Sequence, residues 1–270
     1  MKKIKHDMRF DSLFEFNQWL DDTPKTEDSG SSSTRHSDDR EWDFALGYEG
    51  AREYAKGTEF WQEGTDQITR GVAGVQGEMH QSARPVLSWD VAGFAPDVPA
   101  MLAGQPDHMF CMEYQNESVE IVTIGFCGFS ARCTAKAMLN RGAALLTLVD
   151  ALESSGKRCE IWYDDVLAPV RMRVCLKKSS EQWSAHTLAF SMAHPGFFRR
   201  LGFAWREKFT ELDGHTNSGY GVCEEFDDYT FNLTYQAGDG PYRTFESALA
   251  HMEALAKEQG FTEINLGVNS

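Results

Sequence analysis

The chain has 270 residues, 41% of them hydrophobic, and a formal net charge of -15. That is enough apolar material for a real core in one large or two small domains, and too much negative charge for a protein that coats nucleic acid over its whole surface. No run of about 18 apolar residues occurs, and the basic start Met1 to Asp7 leads into no apolar stretch. The expectation is a soluble, cytoplasmic-type protein without signal peptide or membrane contact. Six scattered cysteines with no Cys-x-x-Cys pair read as buried, reduced thiols.

In chain order, Asp11 to Leu20 opens with a cap and repeats apolar residues at helical spacing, giving an amphipathic N-terminal helix within residues 1–21. Residues 22–41 hold Ser29-Gly30-Ser31-Ser32-Ser33 among charged residues and no large apolar residue before Trp42, the composition of a flexible linker or long loop. Residues 42–270 are expected to form a single domain. It starts with two short helices, Tyr48 to Lys56 and Phe60 to Val75, the latter rich in glycine. Pro85 to Val91 and Met109 to Tyr114 read as strands around a short helix at Val98 to Leu102.

The clearest unit follows. An apolar run Val119 to Phe126, a turn, a helix from about Thr134 to Leu152 and a β-rich run Arg158 to Tyr163 make the pattern of a βαβ crossover. Arg171 to Leu176 alternates charged and apolar residues as a half-exposed strand does. Helices are expected at Glu181 to Ala193 and Gly196 to Trp205, a strand at Tyr229 to Tyr235, and a last helix from Thr244 to Gln259 stopped by Gly260. The fold class is therefore mixed α/β: a central sheet with a βαβ unit and helices on its faces, not an oligonucleotide-binding barrel.

No catalytic or metal motif is readable. The turn Gly125 to Ser130 lacks the spacing of a phosphate loop. The strand, helix, strand succession around it is similar to von Willebrand A-type domains, whose cation loop needs an aspartate that this turn does not have. Histidines are dispersed, no G-x-S-x-G elbow occurs, and Asp164-Asp165 read as a strand-end loop. No enzyme activity, cofactor or metal is expected.

Charge distribution carries more information than the total. Between Lys157 and Phe209 ten bases face five acids, a window of +5 in a remainder of -20. A solvated face with local ion pairs and a functional basic patch both fit. The stretch His194 to Phe209 interleaves aromatics with cations, which suits bases that stack while phosphates meet charge. An amphipathic helix that buries its rings fits it as well. Arg171, Arg173 and Lys177 sit at even spacing on one strand, a possible backbone track or an ordinary exposed sheet face. The candidate nucleic-acid-binding residues are Arg171, Arg173, Lys177, Lys178, Phe198, Arg199, Arg200, Trp205, Arg206 and Lys208. The six acids between Glu211 and Asp228, with no base among them, read as an acidic loop, a partner-binding segment or a guard of the basic groove.

Four blocks, Trp42 to Ala51, Asp90 to Phe94 with Leu102 to Pro106, Asn140 to Ala143, and His194 to Leu201, resemble a family of phage proteins. That family includes the single-stranded DNA-binding cofactor of the phage RNA polymerase in podophages that package a giant virion RNA polymerase. The resemblance implies a sequence-nonspecific single-stranded DNA binder, with phage RNA polymerase as a further partner, acting in the host cytoplasm. The alternative expectation is a non-enzymatic phage protein that binds or inhibits a host protein through its acidic surface. The binding residues named above come from charge and aromatic patterning, not from the family.

Overall fold

The computed structural model describes residues 4–34, 40–73, 83–90, 95–106, 108–116, 119–130, 132–213, 223–234 and 238–267. Its centre is a five-stranded sheet. The strands, in spatial order, are β1 (His6–Phe10), β7 (Val170–Lys177), β6 (Arg158–Leu167), β5 (Ile121–Phe126) and β8 (Phe231–Leu233). All neighbours run parallel except β6 and β7, which form a hairpin. β2 (Ala83–Asp90), β3 (Ala95–Pro96) and β4 (Met109–Asn116) make a separate antiparallel sheet with the short helix α5 (Val98–Leu102) between β3 and β4. No closed barrel is formed by the described residues, and the expected mixed α/β class with its βαβ unit is the observed one.

The crossover helix α6 (Ala135–Ser154) starts at Thr134, whose hydroxyl accepts from the Ala137 N–H. It is apolar on most of its circumference because it is the central element of the helical layer. It packs on α4 (Gln62–Ala73), α7 (Ala185–Ala193) and α8 (Phe245–Glu258) as well as toward β6. Gly142 permits the approach of α7: a Cβ there would lie 2.5 Å from that of Ala193. Val122, Ile124 and Phe126 of β5, Ile161 and Tyr163 of β6, and Met172 and Val174 of β7 point into this layer and are at most 1% exposed. Burial of that continuous apolar set is what holds the two layers together.

Three features depart from the expectations. His6–Phe10 is a strand, pairing in parallel with β7 so that Met8 lies beside Met172 and Phe10 beside Val174. The N-terminal helix α1 (Leu13–Asp22) is no appendage, since Phe16 and Leu20 join the common core and Asn17 is tied to Arg52 of α3 (Gly47–Lys56). The serine-rich segment that leads into the short helix α2 (Arg40–Asp43) is seated, not loose, over its described residues. The Ser33 hydroxyl donates to Glu207 at 2.5 Å, Lys25 pairs with the same carboxylate, and Thr26 donates to Asp213 at 2.7 Å. A polar segment is held here by buried charge in place of apolar contact. Among the described residues no helix is long and apolar enough to cross a membrane.

Candidate functional site

Strand alternation sends one set of side chains into the helical layer and the other to the opposite face of the sheet. That second face carries Asp7 and Arg9 on β1, Arg171 and Arg173 on β7, Glu160, Trp162 and Asp164 on β6, and Thr123 and Gly125 on β5. The pairing sets Asp7 beside Arg171, Arg9 beside Arg173, and Gly125 beside Trp162. The segment 223–229 crosses the lower part of this face. There Phe226, Cys223, Val166 and Cys127 form a small second core, and the Glu224 N–H donates to the Val166 carbonyl at 2.7 Å.

Where this cover ends, a cleft of about 160 Å³ opens, bounded by Arg9, Glu160, Trp162, Arg173, Asp228 and Tyr229. Its floor is the Trp162 indole, 5% exposed. The Arg9 guanidinium lies over that ring, 4.3 Å from its centroid, and the indole N–H donates to Glu160 Oε1 at 2.7 Å. Arg173 donates through Nη2 to both oxygens of Asp7, at 2.9 and 2.8 Å. The Tyr229 ring lies against Gly125, where any Cβ would collide with it at 2.0 Å. Its hydroxyl donates to Asp164 Oδ2 at 2.8 Å.

The electrostatics follow from burial. Asp164 is fully buried, and this raises its carboxyl despite the Arg171 and Tyr229 hydrogen bonds that oppose the rise. Desolvation works against the charge of Arg171, but the paired carboxylates of Asp164 and Asp228 outweigh it and raise the guanidinium. Burial, then the nearby Glu160 charge, pushes the Cys175 thiol up to about 11. Arg9, Arg173, Asp7 and Asp228 remain accessible charges, their side chains 57%, 25%, 46% and 50% exposed.

Of the ten residues predicted from sequence, the structure brings two to this face, Arg171 and Arg173. Lys178 is exposed near its end. Lys177 does not continue their row: the register shifts beside Trp162, and its ammonium donates to the Cys159 carbonyl at 2.8 Å and pairs with Glu153 of α6 at 2.7 Å.

The helix expected after His194 is instead a π-helical turn (Phe197–Leu201) running into α and 3-10 turns, and it is interior. Phe198 packs edge-on against Phe126 and Phe129. Arg199 donates to the Trp42 carbonyl at 2.7 Å and the Cys133 carbonyl at 2.5 Å, with its guanidinium over the Trp42 ring. Arg200 pairs with Asp43, and both are at most 1% exposed. The Trp205 indole and Arg206 both donate to Asp165. Lys208 donates to the Leu20 and Thr23 carbonyls. The expected basic groove along this helix is thus not a surface. Its cations satisfy buried carboxylates and the carbonyls of segments with no ladder of their own.

Sequence reasoning missed Arg9, Glu160, Trp162 and Tyr229. The signal was the period-2 pattern Asp7-Met8-Arg9-Phe10, and Glu160-Ile161-Trp162-Tyr163 read as one alternating strand. Asp164 and Asp165 are not in a loop but on β6, facing opposite sides of the sheet. Among the described residues no three histidine, cysteine or carboxylate side chains gather at metal-binding distances.

No curated protein and no solved structure matches the chain. A family model described as a domain of unknown function (DUF7192) matches residues 3–259, nearly the whole length, and the chain belongs to that family.

Proposed function

We propose that the protein binds single-stranded DNA without sequence readout or enzymatic turnover, and acts as a cofactor of a phage RNA polymerase in the host cytoplasm. The observation that carries this reading is the open sheet face. Arg9 and Arg173, on neighbouring strands, border a cleft floored by an indole, and the Arg9 guanidinium over that ring presents charge and a planar group to a nucleic-acid strand. The resemblance of four sequence blocks to the phage family supports the strand-binding and polymerase roles.

The test is fluorescence anisotropy with single- and double-stranded oligonucleotides across a salt series. Wild type is expected to prefer single strands. Arg9→Ala/Arg173→Ala is expected to keep its circular dichroism and lower the log-log salt slope by about 1.4, at about 0.7 for each phosphate no longer neutralised. Salt-independent binding, or binding untouched by the double substitution, would remove the assignment.

One observation favours a second reading, a protein partner engaged through the acidic surface. Most of the predicted basic track is spent internally, while Glu225, Asp227 and Asp228 stand exposed. Absence of oligonucleotide binding together with salt-sensitive capture of a basic host protein would decide for it.

A further inference from the structure

The cleft has a polar wall beside the Arg9 guanidinium that covers its indole floor. Glu160 is half-buried on β6, and its Oε1 accepts the Trp162 indole N–H at 2.7 Å. It forms no ion pair among the described residues, although Arg9 and Arg173 border the same cleft. Oε2 is therefore an acceptor with no hydrogen-bond partner among the described residues. An ionised carboxylate accepts and cannot donate. Beside Glu160 in register, Thr123 of β5 adds a hydroxyl that can present either role, 3.0 Å from that of Thr230. The Arg9 guanidinium, which lies over Trp162, offers its outer side as a surface on which a ring stacks.

We propose that this cleft takes one base of the bound strand and that Glu160 favours bases with an exocyclic amino group, cytosine above thymine. The proposal rests on the strand-binding reading of the same face. Cytosine N4 supplies an N–H to the carboxylate. In thymine the corresponding position is a carbonyl oxygen, which the carboxylate repels, and the ring N–H lies between two acceptors. The selectivity is a bias laid over nonspecific backbone binding, because the cleft admits a single ring.

The experiment compares oligo-dC, oligo-dT and oligo-dU of one fixed length at one salt concentration, on wild type and Glu160→Gln. The dU strand separates the missing amino group from the thymine methyl. Wild type is expected to bind dC about fivefold to tenfold tighter than dT and dU, within the range of one base-edge contact. Glu160→Gln keeps an oxygen for the Trp162 N–H and gains a donor for a carbonyl, so the ratio should fall to about twofold or less. Equal affinity of wild type for dC and dU overturns the Glu160 inference and leaves strand binding standing. No binding to any strand overturns both. Displacement of the dC strand by a modest excess of free dCMP would assign the cleft to a mononucleotide instead and overturn the placement of a strand base.

Discussion

Arg171 and Arg173 on one side, Arg199, Arg200 and Arg206 on the other, lie within the same net-basic stretch of sequence, yet the fold uses them in opposite ways. The first pair stands on the open sheet face, where Arg173 holds Asp7, itself half in water, and Arg171 divides between exposed Asp228 and fully buried Asp164. The second group is sealed behind the helical layer, each at most 5% exposed, against Asp43, Asp165 and backbone carbonyls. A cation whose partner is wet can exchange it for a phosphate. One whose partner is dry cannot leave without stranding a buried charge.

The sharpest way to break this contrast is Arg206→Ala. Asp165, 1% exposed, would keep only the Trp205 and Tyr163 donors. The expected loss is about 3–5 kcal/mol of unfolding free energy in urea, whereas Arg173→Ala should cost under about 1 kcal/mol, as exposed pairs do. Equal costs would erase the distinction between the two groups.

A second test uses His194, which sits on the sealed side among Phe44, Tyr54, Trp61 and Phe190. Burial pushes its imidazole down to about 3. The unfolded chain takes up that proton near the ordinary value of 6.5, and the folded chain refuses it until about 3. Stability from this group is therefore complete above about 6.5 and lost as pH falls, by about 1.4 kcal/mol per unit. Urea titrations of wild type between neutral and mildly acid pH should show this slope, and His194→Gln should lack it.

Smaller effects are expected on the open face. Asp228→Asn removes the wet partner of Arg171 while Asp164 remains, and should tighten oligonucleotide binding a few-fold by anisotropy, with an unchanged thermal midpoint. Lys178→Ala, exposed and away from the cleft, should change neither affinity nor stability.

The βαβ unit was legible because its two strands are buried runs and its helix is apolar over five turns, patterns that local chemistry alone produces. β1 was not legible, since five residues with three charged or polar side chains carry little apolar signal until β7 lies beside them. The seat of the serine-rich segment was equally hidden. Its partners Glu207 and Asp213 lie far along the chain, and polar composition describes both a loose linker and one tied by hydrogen bonds. At the candidate site, alternation identified Arg171 and Arg173. It did not reveal that the neighbouring cations would be drawn inside, because this depends on where Asp43, Asp165 and unladdered carbonyls end up in space.

The parallel pairing of β1 with β7 also bears on how the molecule is assembled. Asp7 and its partner Arg173 are 166 residues apart, so β1 has no neighbour in the sheet until the chain as far as β7 has been made. Contacts at such separation carry a large loop-closure entropy and form late. Arg9 reaches Trp162 only through this docking, so detachment of the edge strand β1 would open one side of the sheet and uncover the Trp162 ring together.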